Sequence, residues 1–279
     1  MKQTKKVLLL LLALLFAVPV FAAEKESAYD RVMRTGVIRC GYAIWRPILF
    51  TDLNSGVITG LAHDMMEKAA EKLSLKVEWS EEVSYGTIIA GLETGRYDMI
   101  CTGMYQNAPR SRSIAFTVPF LYSPMFPLVR VDETRIKGPA DLNKPETTIA
   151  VLEGEAGSIF AHEAYPKAKF LAIPQLSDFA LMYEEVAQKK ADVSLAEMGS
   201  FIAYDKANPG KLKALNPNQP LAVFPVVMGL PPGDVRLKTA IDAAITEMLN
   251  DGTIDRLSAQ YIQPSNAFLP VAKPYGAQK

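Results

Sequence analysis

Val37-Ile38-Arg39-Cys40-Gly41, Lys76-Val77-Glu78-Trp79 and the apolar run from Tyr97 to Thr102 are three short segments of strand character. Two helical patterns separate them. Leu61, Met65, Met66, Ala69, Ala70 and Leu73 recur at helical spacing, and Ile88, Ile89 and Leu92 do the same before Gly95 stops the helix. The order is β-α-β-α-β. Crossover helices join like-directed strands, so this part predicts a parallel sheet with helices on its faces.

Outward from that unit the pattern changes and then returns. Residues 113–131 are apolar but carry Pro119, Pro124 and Pro127, which predicts an extended crossing rather than a helix. A second alternating unit follows. Thr147 to Leu152 is a strand ended by Gly154, and a helix covers about Gly157 to Ala164. Lys169 to Ile173 is a strand. Ser177 is a candidate cap for a helix bearing Phe179, Met182, Tyr183 and Val186, and Ala191 to Ala196 is again a strand. Leu221 to Leu230 forms a second extended crossing. Two helices close the pattern, one with Ile241, Ile245 and Met248 and one with Ile254, Leu257 and Tyr261. The tail from Pro264 is expected to be loose. The chain therefore leaves one α/β unit, builds another and returns. The expected division is a first lobe of residues 24–127 and 224–262, a second lobe of 128–223 and a tail of 263–279. A cleft between such lobes is a favoured ligand site.

The chain has 279 residues and 49% apolar composition, enough for a sizeable core. Lys and Arg together equal Asp and Glu at 30 each, so no basic bias points to nucleic acid or an anionic membrane. Lys2, Lys5 and Lys6 precede an apolar run from Val7 to Ala23, and Val20-Phe21-Ala22 ends it with short residues. This predicts a cleaved secretory signal over residues 1–23. No Cys stands at its exit to carry a lipid. Cys40 and Cys101 then face an oxidising compartment, where a disulfide is possible. Both fall in expected core strands. Neighbouring parallel strands rarely offer the required geometry, so the expectation is two buried thiols. His63 and His162 have no Cys at ligand spacing, so no metal and no cofactor are expected.

Four segments together resemble one known family. They are Gly36-Val37-Ile38-Arg39-Cys40-Gly41 with Pro47 and Gly60-Leu61-Ala62-His63-Asp64, and Leu92-Glu93-Thr94-Gly95-Arg96-Tyr97-Asp98 running through Thr102-Gly103-Met104 to Pro109-Arg110. Asp141-Leu142 with Ile149 to Gly154 is the third, and Met248-Leu249-Asn250-Asp251-Gly252-Thr253-Ile254 to Tyr261 is the fourth. In this order the chain resembles the family 3 extracellular solute-binding proteins, the polar amino acid receptors of ABC importers. The resemblance spans about Tyr29 to Tyr261. It implies a two-lobed α/β periplasmic-binding-protein fold of type II, a monomeric periplasmic receptor, and partnership with an ABC permease and its ATPase.

The resemblance also implies a site. Arg110 matches the carboxylate-binding Arg of the family, a role that suits a planar, bidentate cation. Asn107 stands where the family has a hydroxyl residue, and the backbone near Tyr105 supplies further contacts. Gly154-Glu155-Ala156-Gly157 opens a helix whose free N–H groups suit an anion. The family usually has Ser or Thr where this chain has Glu155, which either repels a ligand carboxylate or caps the helix. Glu197 matches the acid that holds the ligand amine. Trp45 and Tyr85 stand where aromatic residues sandwich the ligand. Ala62 replaces an acid that helps select cationic ligands. An enzyme on the same scaffold, of the cyclohexadienyl dehydratase kind, is the competing reading, with Glu197 or Glu155 as general acid or base. A ligand sensor for a membrane partner is a third. No Ser-His-Asp or Cys-His set supports catalysis.

Overall fold

A computed structural model describes residues 26–175, 177–264 and 267–272. The signal segment expected at residues 1–23 lies outside the described residues. The described residues begin with α1 (Ala28–Thr35), which the sequence pattern did not suggest. The chain continues through β1 (Val37–Tyr42), a small hairpin of β2 (Phe50–Thr51) and β3 (Ile58–Thr59), α2 (Leu61–Lys72), β4 (Lys76–Glu82), α3 (Ile88–Glu93) and β5 (Met99–Tyr105). β4, β1 and β5 are parallel neighbours, as the alternation requires. After β6 (Ala115–Phe116) and β7 (Leu121–Arg130), the second unit holds α4 (Pro139–Leu142), β8 (Thr148–Leu152), α5 (Ala156–Ala164), β9 (Lys169–Ile173), α6 (Phe179–Ala187), β10 (Val193–Glu197), α7 (Met198–Ala207) and β11 (Leu212–Ala214). The return strand β12 (Ala222–Leu230) leads to α8 (Val235–Asn250) and α9 (Thr253–Tyr261). Asp178, not Ser177, caps α6, accepting from the Ala180 N–H.

One curled sheet runs β4-β1-β5-β12-β7-β10-β8-β9. The two expected crossings are its central strands, paired antiparallel from Leu121–Val226 to Met125–Ala222. Each proline there is paired inside one ladder and stands just past the end of the ladder on its other side. Pro127 follows the last pair with β11 (Leu128–Ala214), and its carbonyl accepts from Leu215 N–H. Pro225 follows the last pair with β5 (Val226–Tyr105), and its carbonyl accepts from Gln106 N–H. Pro124 precedes the last pair with β10 (Met125–Glu197). A ring nitrogen on the side where pairing ends costs at most one ladder bond.

The helices bury the faces their patterns assign. α2 covers the sheet with Leu61, Met65, Met66 and Ala69, and α8 with Leu237, Ile241, Ile245 and Met248. The expectation of two free thiols is overturned: Cys40 and Cys101 form a disulfide with Cα atoms 5.3 Å apart. Cys40 stands opposite Met99 across the β1–β5 pair. Cys101 is therefore the diagonal neighbour on the same face, and that offset brings the sulfurs within bonding reach.

The tail is not uniformly loose. Leu269 exchanges both backbone hydrogen bonds with Tyr122 at the start of β7, at 2.7 and 2.8 Å. Phe268 beside it is buried at 2% exposure. Its ring meets the Trp45 ring at 5.8 Å, and a Cβ added to Gly199 would lie 2.9 Å from it. Phe268 thus wedges between the loop after β1 and the start of α7. Phe268→Ala is expected to cost about 3 kcal/mol of unfolding free energy, as large-to-small changes at buried aromatics do. A urea titration that places the variant within about 1 kcal/mol of the parent would refute that wedge role.

Candidate functional site

Parallel strands deliver the site residues from their carboxyl ends, where open α/β sheets place ligands. From the first unit, Trp45 follows β1, Tyr85 follows β4, and Tyr105 is the last residue of β5. The Trp45 loop is closed by mutual backbone hydrogen bonds between Trp45 and Leu49 at 2.8 Å. Arg110 opens a short 3-10 turn, and its N–H donates to Asn107 Oδ1 at 2.9 Å. From the second unit, Glu155 follows β8 and Glu197 ends β10. Both are helix N-caps, of α5 and α7. The two walls touch at glycines. Gly154 has φ +76°, and a Cβ there would lie 2.6 Å from Gly86 Cα.

Six of the eight expected site residues line one cavity of about 20 Å³: Trp45, Tyr85, Tyr105, Arg110, Glu155 and Glu197. That is room for about one water. Asn107 and Ala156 do not line it. Asn107 supports the Arg110 turn, and Ala156 starts the helix that Glu155 caps. A larger cleft of about 410 Å³ lies beside the cavity and shares the walls Tyr85, Phe179 and Tyr183. Phe179 and Tyr183 were legible only as apolar positions of α6. Their i, i+4 spacing on its first turns, next to the cleft, was the available signal.

Every charged group of the cavity has named partners. Glu197 is 6% exposed. One oxygen accepts the Trp45 indole N–H at 2.9 Å, and the other accepts Ser200 N–H at 2.7 Å; the Ser200 hydroxyl adds a close third contact. Burial raises the Glu197 pKa, against the opposing hydrogen bonds from Ser200 and Trp45. Glu155 turns one oxygen onto Gly157 N–H, so the capping alternative holds. It lines the cavity at the same time. Burial raises its pKa too, opposed first by the Arg110 charge and then by the N–H groups of Gly157, Ala156 and Ser158. Arg110 donates to the Tyr105 carbonyl at 3.3 Å and to the Gly154 carbonyl at 3.0 Å, tying one wall to the other. Burial lowers its pKa, and the Glu155 charge opposes that.

Ring contacts and hydroxyl bonds tie the aromatic frame together. Tyr105 stacks on Phe224 at 4.8 Å, meets Trp45 edge-on at 5.2 Å, and joins its hydroxyl to Ser123 Oγ at 2.8 Å. The Tyr85 hydroxyl donates to the Gly103 carbonyl at 2.8 Å, and the Arg110 guanidinium lies 6.0 Å from its ring centroid. The arrangement offers two carboxylates, one guanidinium and several aromatic faces to a small polar ligand. Neither histidine takes part: His63 stacks on Trp79 and bonds Asp64, and His162 stacks on Phe170.

Comparison with known proteins gives the family. A "probable amino-acid ABC transporter-binding protein" of Haemophilus influenzae is 27% identical over 234 residues, covering 83% of this chain and 87% of that one. The cyclohexadienyl dehydratase of Pseudomonas aeruginosa is 26% identical over 220 residues, 78% of this chain and 80% of the enzyme. Among solved structures, an ancestral amino acid-binding protein described as a precursor of cyclohexadienyl dehydratase superposes with a TM-score of 0.74. It is 28% identical, over 85% of this chain and all of that one. The family model for bacterial extracellular solute-binding proteins, family 3, matches residues 38–264, and the chain belongs to that family.

Proposed function

We propose that this protein is a periplasmic receptor that closes two lobes on a small amino-acid-like solute and delivers it to an ABC permease. The observation that carries the reading is Glu197. A carboxylate from the end of β10 sits buried in an aromatic-walled cavity, held by the indole of Trp45 from the opposite wall. An ammonium group entering there gains a charge partner and aromatic faces together. Arg110, anchored to both walls, supplies the opposite charge. The amino-acid-binding relatives support the solute class, and the family supports export and the permease partner.

A thermal-shift screen of amino acids and small amines tests the reading. A bound solute at one hundred times its Kd adds about 2.7 kcal/mol to stability. A shift with at least one amino compound is the expected result. Silence across the whole panel would refute it. The dehydratase relative and the buried carboxyl of Glu197, whose pKa burial raises, favour one second reading, an enzyme on this scaffold. Incubation with prephenate decides it, since formation of a new aromatic product would replace the receptor by the enzyme.

A further inference from the structure

Resting on the receptor reading, we infer that Glu155 stands in for the ligand carboxylate, so that the site selects a small organic cation lacking an α-carboxylate, such as a decarboxylated amino acid. A zwitterion needs two things from such a cleft: N–H donors and a cation for its carboxylate, and an anion for its amine. In this chain the helix N–H groups are already served. Glu155 accepts from Gly157 N–H, and its carboxylate lies among the first N–H groups of α5. The same carboxylate lines the cavity with Arg110. A ligand carboxylate brought to Arg110 would meet a like charge from Glu155 and find the helix terminus occupied.

The charge balance points the same way. Arg110 and Glu155 offset one another at the cavity, which leaves Glu197 without a cation of its own among the described residues: its partners are an indole N–H, a backbone N–H and a hydroxyl. The wider cleft beside it is lined by Arg46 against Glu82, Glu153 and Asp178. The approach is therefore also acidic, and the walls Trp45, Tyr85, Phe179 and Tyr183 present aromatic faces that favour a cation. Ala62, at the position of a familiar selecting acid, does not weaken this balance, because Glu155 places its charge directly in the cavity.

The experiment is titration calorimetry of the purified protein with matched pairs: lysine and cadaverine, ornithine and putrescine, tyrosine and tyramine. In at least one pair the amine is expected to bind about tenfold or more tighter than its parent amino acid, the lower end of what a like-charge juxtaposition costs. Glu155→Ser should move the ratio about tenfold or more back toward the amino acid. Glu155→Gln keeps an oxygen for Gly157 N–H, so it should move the ratio the same way even if the Ser variant folds poorly. A parent amino acid that binds tighter than its amine in every pair would overturn the inference and leave the receptor reading intact. So would an unchanged ratio in the folded Gln variant. Silence toward every compound would overturn both.

Discussion

Glu197→Ala is expected to weaken solute binding by about three orders of magnitude, within the 2–5 kcal/mol that truncating one member of a buried charge pair costs. The loss has two sources. The ligand cation loses its anion, and the Trp45 indole N–H loses the acceptor that fixes its ring at 2.9 Å. The α7 cap goes as well, because Ser200 N–H donates to the same carboxylate. Glu197→Gln separates these effects. It keeps an acceptor for the α7 terminus and removes the charge, so the protein should remain folded and still bind weakly. Calorimetry that finds Glu197→Gln within tenfold of the parent would show that the ligand cation is held elsewhere.

Loss of the Cys40–Cys101 disulfide is expected to produce the largest change in stability. The bond spans 61 residues of sequence. A crosslink of that span removes about 4 kcal/mol of conformational freedom from the unfolded chain in the entropy model. Both cysteines are fully buried, so replacement by Ala adds a small packing loss. Thermal unfolding of the double Ala variant, and of the parent with and without reductant, checks this. The bond also ties β1 to β5, the strands whose ends carry Trp45 and Tyr105. The double variant should therefore bind its solute less tightly as well as melt earlier. A parent that melts at the same temperature in strong reductant, with its thiols shown to be free, would remove the bond from the list of stabilising features.

The alternation that predicts parallel sheets was readable because β5 is buried along its length and β8 from Ile149 to Leu152, while β1 is a short segment with Ile38 and Cys40 buried. The residues at the ends of those strands were then readable from the resemblance, and six of them meet in one cavity. Other features left no local signal. α7 places Gly199, Ser200 and Tyr204 inward and spreads its other apolar residues around the helix, so no stripe marks it. The disulfide depends on a diagonal register between two strands, a quantity fixed only when the strands pair. Phe268 follows a proline-containing stretch with no periodicity. Its burial comes from a cleft edge built by residues more than 60 positions away, among them Trp45 and Gly199. Glu155 was legible as a departure from the family pattern, but whether it faced the cleft or capped the helix was not. It does both.

The register of the two central strands governs alignment as well as pairing. A slip of one residue between β7 and β12 would turn Ser123 away from Tyr105 and carry each inward side chain to the other face. The strands that join the two lobes can therefore bend and twist but not glide along one another. Rotation about a fixed register is the motion left to them, so under the receptor reading each closure is expected to bring Arg110 and Glu197 back to the same relative positions.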